Sequence, residues 1–551
     1  MRKIFAILMM FSTCVGIMRA EKIPGLGTAT FRTSTHSVEA QKEFSRGLLL
    51  LHVFEYPDAA KAFVAAEKID PGFAMAYWGE AMTFNHPVWN QLDLGGAQAV
   101  LHRFGATPEA RANRIVDARE RAWMSTLDVL YSGTGTKRER DAQYAIAMQK
   151  MSRAYPGDDE VQLFYALALL GRSEGVRDVP TYLQAAAIAK AAFMRNTDHP
   201  GAAHYWIHGM DDPQHAAGAL VAARALSKIA PDAGHAQHMC SHIFMALGTW
   251  DDVVSSNVTA MRVVDEHDRA AGQPVIDCGH YAIWLEYAYY QQGRMRNGDK
   301  VLAECARTAA VAAAWIRAQP GDNADAARKV QARAAQPNSS LATMRGIALI
   351  ESQDWSGQAA KMTVDETGVS SLGKGYDAFA TGYAAAERGD RGLATSSLAS
   401  LRGLAAEAGK TVDTEAFTDL GILADDLNVL ISSKTGDLDG AIAQVQQVAA
   451  KYDAMAFDFG PPWSLKPPDE LAGELLLKKN KAAQARKAFE ASLKNAPRRA
   501  ESLLGLARAE VATGDKVAAA RSYRELLAMW KNADPDYAPL AEARRIVAGG
   551  S

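Results

Sequence analysis

The sequence predicts an all-α fold, an α-solenoid of stacked helix–turn–helix repeats with helical insertions. Three observations carry this. The chain has 551 residues, too many for one compact core, so an array or several domains is expected. Alanine- and leucine-rich runs such as Ala309–Ala314 favour helix over strand. Histidines recur at a fixed interval of 34 residues, from His204 and His208 to His238 and His242, and from His52 to His86. A residue recurring at the period of a stacked unit occupies the same place on successive units.

Thirty-four residues is the length of a tetratricopeptide repeat (TPR), in which small residues let helix A pack on helix B and a proline often closes the unit. Gly47, Ala59, Phe63, Ala66 and Pro71 form a first TPR-like copy. Ala219, Ala223, Leu226 and Pro231 form another, followed by Val253, Asn257, Ala260 and Asp265 with Gly248 in the turn between helices. Ala485, Phe489, Ser492 and Pro497 precede Ala519, Tyr523 and Leu526, with Gly514-Asp515 at the turn. Weaker copies surround Gly389-Asp390 with Leu398, and Gly436-Asp437 with Ala441 and Val445. Residues 90–140 break the period and are expected to form a helical insertion. Residues 266–276 read as an added loop, and the Phe457–Trp463 stretch as an irregular loop before the last repeats. The expected organisation is a signal peptide over 1–20, an N-terminal TPR-like solenoid over 21–318, a junction at 319–340 and a C-terminal TPR-like solenoid over 341–551.

The first twenty residues have the pattern of an export signal, with Arg2 and Lys3 ahead of a mostly apolar run from Ile4 to Met18 and a small residue at Ala20. The run is shorter than a membrane span needs, and no other segment is long and apolar enough, so no membrane span is expected and a periplasmic or secreted location is. Hydrophobic residues are 48% and charged residues 22%, which is a globular composition. Cleavage would remove three basic residues and no acidic ones, taking the formal net charge from −3 to −6. That balance argues against nucleic acid as a partner, because phosphate binding needs a basic surface. Cys240, Cys278 and Cys305 would remain, enough for one disulfide and one thiol. Cys240 reads as a small core residue.

All thirteen histidines lie between His36 and His280, although the repeats continue to the C-terminus. The fold therefore does not itself require imidazole, and the asymmetry points to function. His204 and His208 are four apart, and His235, His238 and His242 are spaced three and four, so each set shares one helical face. His280 opens the next helix, ahead of Trp284 and Tyr287. Helices packed ~8–10 Å apart bring such imidazoles onto one ion. The candidate metal ligands are His204, His208, His235, His238, His242 and His280, and the ion a transition metal, with copper or zinc favoured for imidazole donors. Asp211, Asp212 and Asp277 are candidate extra ligands or orienting groups. His52 and His86 form a possible second site or a wall of the same cavity, though Trp78, Phe84 and Trp89 near them are expected to pack the first repeats. His36, His102, His199, His215 and His267 read as structural or surface residues. The competing reading is a concave groove that binds a peptide or protein without metal. A phosphate-binding glycine loop, an HExxH motif and a nucleophile elbow are all absent, so no catalytic residue is assigned.

Several stretches resemble a group of bacterial exported tetratricopeptide-repeat proteins of poorly defined function. They are Ala76-Tyr77-Trp78-Gly79 through Asn85-His86-Pro87, His199-Pro200-Gly201-Ala202-Ala203-His204-Tyr205 through His208, Ala230-Pro231-Asp232-Ala233-Gly234-His235 through Ser241-His242-Ile243, and His280 before Tyr287-Ala288-Tyr289. The Leu471–Ala509 repeats are similar too. The resemblance implies a groove lined by the first helix of each pair, with His204 and His238 at repeat position 5, His208 and His242 at position 9 and His235 at position 2. It implies no reaction.

Overall fold

A computed structural model describes residues 21–549, apart from 175, 320–323 and 411–413. The expected export signal lies outside the described residues. The chain is all-helical, with 26 α-helices among the described residues, each packed mainly on its neighbours in sequence. Two short antiparallel hairpins, Glu21–Ile23 with Gly27–Ala29 and Asn85–His86 with Gln91–Leu92, are the described strands. This is the TPR-like solenoid of helix pairs.

The signature small residues do what close helix approach requires. Phe63, on the helix Tyr56–Ile69, sits between Gly47 on Val38–His52 and Gly79 on Ala74–Met82. A Cβ on Gly47 would lie 2.8 Å from the Phe63 ring, and one on Gly79 would overlap it. The arrangement recurs near the other end of the chain. Phe489, on Ala482–Asn495, sits between Gly473 and Gly505, where an added Cβ would lie 2.6 Å from the ring or overlap it. Both phenylalanines are fully buried. The turn at Gly514 has φ +80°, a left-handed conformation that suits glycine, and Asp515 then caps the helix Lys516–Met529 through the Ala518 N–H.

The 90–140 segment is helical as expected, with Leu94–Phe104, Pro108–Arg114 and Ala118–Leu130. The loop expected over 266–276 is displaced: the helix Trp250–Ala270 runs through its first half and the irregular stretch follows at 271–279. The 319–340 segment carries more than the first half of the 29-residue helix Ala324–Ser352, which continues through Pro337. Cys278 and Cys305 form a disulfide, and Cys240 is a buried free thiol.

The C-terminal repeats pack back on the middle of the chain. Buried Arg499 donates to Glu470 at 2.7 Å and to the Tyr287 hydroxyl at 3.1 Å, and it also pairs with Glu351. Trp250 donates to the Arg498 carbonyl at 3.1 Å, and Gln291 accepts from the Ala500 N–H at 2.7 Å. Two of these contacts, to Tyr287 and Gln291, anchor the helix His280–Gln291.

Candidate metal centre

Three helices supply the six histidines singled out in the sequence. Pro200–Gly209 carries His204 and His208, Gly234–Ala246 carries His235, His238 and His242, and His280 opens His280–Gln291. Pro200 stands at the first turn of its helix, where its missing N–H costs nothing, and the His199 ring caps that helix by accepting the Ala202 N–H at 3.2 Å. The first two helices are buried along their whole length. The histidines are deeply set: His204 and His238 are 0% exposed and His208, His235 and His242 at most 8%, while His280 alone of the six is exposed.

The cover comes from residues far apart in sequence. Phe54 follows the Val38–His52 helix and has φ +59°, an uncommon conformation for a bulky residue. Its ring lies 4.4, 5.7 and 5.5 Å from those of His204, His208 and His235. Trp284 packs on His238 and His242, and Phe459, from the irregular loop before the last repeats, packs on His242 at 5.1 Å.

The donor atoms sort into two groups of three, each within 4.8 Å: His204, His208 and His235, and His238, His242 and His280. Hydrogen bonds fix the tautomers. His204 Nδ1 is 2.7 Å from the carbonyl oxygen of His52, which can only accept, so Nδ1 carries the proton and Nε2 the lone pair. Asn257 donates its Nδ2 to the Val253 carbonyl at 2.9 Å, so its Oδ1 faces His238 Nδ1 at 2.7 Å as acceptor. His242 Nδ1 donates to Asp211 at 2.6 Å. In all three rings Nε2 is left pointing inward. His204 Nε2 lies 3.0 Å from His208 Nε2, and His238 Nε2 lies 3.1 Å from His242 Nε2. The Nε2 of His235 is buried and has no hydrogen-bond partner among the described residues.

His208 has no acceptor on Nδ1 among the described residues, so its Nε2–H is free to donate to the His204 lone pair, whereas the facing Nε2 lone pairs of His238 and His242 repel unless a proton or a metal ion lies between them. Two nitrogens about 3 Å apart, each ~2.0–2.1 Å from one ion, subtend roughly 95° at it, which transition metals accept. Burial pushes the His204 imidazole down to about 3 and holds His208, His235 and His238 well below the usual imidazole range, each further lowered by neighbouring rings. These rings are neutral at ordinary pH, the form that binds metal. The carbonyl, amide and carboxylate behind His204, His238 and His242 are the orienting partners that ligating imidazoles need. Asp211 was among the sequence candidates. Asp212 instead pairs with Arg177 and His215 and takes no part.

His208, His235, His242 and His280 line an open cleft of about 800 Å³. Its walls include Phe54, Trp89, Tyr281 and Phe459, with Asp277 beside His280. Burial pushes the Asp277 carboxyl up to about 6, with Asp265 and Glu304 acting in the same direction. Trp78 is core as expected, whereas Trp89 is 41% exposed and borders this cleft.

His52 and His86 have separate partners. His86 follows the end of the Ala74–Met82 helix, in the short hairpin, where its Nε2 donates to the Thr83 carbonyl and its ring stacks on Tyr56 at 3.9 Å. His52 ends its helix as expected but joins Glu160 and His199 in a third buried group. Glu160 has no periodic signal in the sequence, and His199, expected as a structural or surface residue, is its second partner. Here every imidazole nitrogen is used. His52 donates to Glu160 at 2.7 Å and accepts from Tyr205 at 3.0 Å, while His199 donates to Glu160 at 3.0 Å and accepts the Ala202 N–H. No lone pair is left for an ion, so this group is a satisfied structural network. His36, His102 and His267 are exposed.

Neither a family model nor a curated relative matches the chain. Among solved structures, Cut9–Hcn1 of the APC/C aligns at 11% identity over 94% of this chain and 78% of the other, with a TM-score of 0.33. Yeast Tom70 aligns at 10% identity over 93% and 95%, with a TM-score of 0.27. The P58(IPK) TPR domain aligns at 13% identity over 87% and 99%, with a TM-score of 0.21. At such scores nothing about the activity of this chain follows from them.

Proposed function

We propose that this chain is a transition-metal-binding TPR-like protein, its ligands being His204, His208, His235, His238, His242 and His280 and its metal copper or zinc. One observation carries the reading: three imidazoles have Nδ1 committed to an acceptor and Nε2 turned inward, beside the buried, unpartnered Nε2 of His235. Neutral nitrogen donors favour copper and zinc over magnesium or calcium, which take oxygen ligands. An exported location agrees with the Cys278–Cys305 disulfide, since disulfides persist in oxidising compartments. No described helix is long and apolar enough to cross a membrane.

The test is elemental analysis of full-length protein purified without a histidine tag, before and after incubation with Cu(II) or Zn(II). Bound metal that survives gel filtration supports the reading. Protein that stays metal-free and melts unchanged after loading with either ion rejects it. The rival reading is a peptide- or protein-binding scaffold using the same cleft. It gains if a partner binds equally well to chelated and metal-loaded protein.

A further inference from the structure

The two triads are the same ligand set built twice. One period of 34 residues carries His204 to His238 and His208 to His242. The third member, His235, is followed by His280 one period and eleven residues later. The extra length is taken up by the long helix Trp250–Ala270, with 21 residues against 10 in Leu220–Ile229, and by the loop 271–279. Each triad thus takes two histidines four apart on one helix and a third from the start of the next helix of that type.

Six nitrogens on a single ion at ~2.0–2.1 Å would all fall within about 4.2 Å of one another. Here they divide into two groups of three. The groups are nonetheless adjacent. Rings across the divide, His208 to His242 and His235 to His238, have centroids 6.0 and 6.2 Å apart, while within the triads four pairs are 4.6 to 5.2 Å apart and His242 to His280 is 6.4 Å. Two of the three histidines in each triad line the cleft, so both triads open to the same space. Three neutral nitrogens leave a divalent ion short of a ligand and of negative charge. The carboxylate of Asp211 is engaged by His242 Nδ1, that of Glu55 by the His235 backbone N–H, and that of Asp277 shares a hydrogen bond with Glu304.

Resting on the metal-binding reading, we propose that the triads hold a pair of transition-metal ions that share one small exogenous anion entering from the cleft. The chemical class of that ligand is a hydroxide-sized or linear anion able to bridge two metals, and azide is the probe.

Untagged full-length protein is loaded with Cu(II), freed of excess metal and examined by elemental analysis and electron paramagnetic resonance. The expected result is two copper ions per chain with an integrated signal well below two spins, because a shared ligand couples them. Azide should add a charge-transfer band that saturates at one anion per two coppers. His208→Ala cuts one triad only and should leave one copper with a full one-spin signal. His280→Ala, at an exposed position, does the same for the other triad should His208→Ala not fold. One copper per chain in the wild type overturns the pair and leaves metal binding standing. Two coppers with a full two-spin signal overturn the shared ligand. No copper bound, and no zinc bound on parallel loading, overturns both readings.

Discussion

Asp211 accepts the Nδ1 proton of His242 at 2.6 Å, with both side chains buried, and so decides which nitrogen of His242 is free. The same service is given to His204 by the His52 carbonyl and to His238 by Asn257, but Asp211 alone brings a charge. A carboxylate behind an imidazole raises its basicity and holds its orientation. Asp211→Ala is expected to weaken metal affinity by roughly 10- to 100-fold. Competition against a chelator of known affinity measures this. Unchanged affinity would show that Asp211 orients nothing that binds metal.

Metal bound to the native state alone must stabilise it. At a free ion concentration 100 times Kd the gain is about 2.7 kcal/mol. Wild-type protein should therefore melt several degrees higher with Cu(II) or Zn(II) than with chelator. In His208→Ala the increment should shrink. Equal melting of wild-type protein with and without metal would contradict a site that forms only on folding.

Much of this was legible in the sequence, for physical reasons. The 34-residue period and the Gly47–Phe63 spacing are local signals, since each repeat packs chiefly on its neighbours. The histidine period likewise gave the two helices and the faces that meet. Periodicity could not give burial. Phe54, Trp284 and Phe459 reach the rings from three separate parts of the chain, and Asn257 and Asp211 act through hydrogen bonds that no spacing rule encodes. His52 and His86 show the converse failure. They share a period, but the chain leaves its helix after Met82 and sets His86 in a hairpin.

The contact of Phe489 with Gly505 makes a packing prediction. Gly505→Ala places a methyl against a ring with no room to retreat, and overpacking of this kind costs about 1–3 kcal/mol. Phe489→Leu alone should also destabilise, through lost burial. Combined, the two should be less harmful than their sum, because each relieves the other. Urea unfolding of the four proteins gives the cycle. Strict additivity would mean that the two side chains do not compete for the same space.

Asp426 is fully buried, and neither carboxylate oxygen has a hydrogen-bond partner among the described residues. Burial pushes its pKa well above the usual carboxylate range, Asp425 acts in the same direction and Lys466 opposes. The native state therefore holds a proton that the unfolded chain releases. Its stabilising effect is present at low pH and is lost as pH rises from about 3.8 through the native pKa, with a slope up to about 1.4 kcal/mol per unit. Asp426→Leu should flatten that dependence and raise Tm more at pH 8 than at pH 5. An equal change at both values would show that Asp426 does not titrate differently on folding.

Glu160 separates a structural histidine cluster from a ligating one. Although burial pushes its carboxyl up, His52 and His199 hold it well below the usual range, so it remains an acceptor for both rings. Its two hydrogen bonds fasten the Val38–His52 helix to the start of Pro200–Gly209, and no nitrogen of either histidine is left over. Glu160→Ala leaves two buried imidazole donors unpaired, and a loss of about 3 kcal/mol is expected from hydrogen bonds to a charged group. Metal content per folded chain should nevertheless equal that of the wild type, because the triads on the neighbouring helices keep all their nitrogens. Urea unfolding and elemental analysis of the same preparation read the two effects separately. A stable variant that has lost metal would reverse the assignment and make Glu160, His52 and His199 ligands.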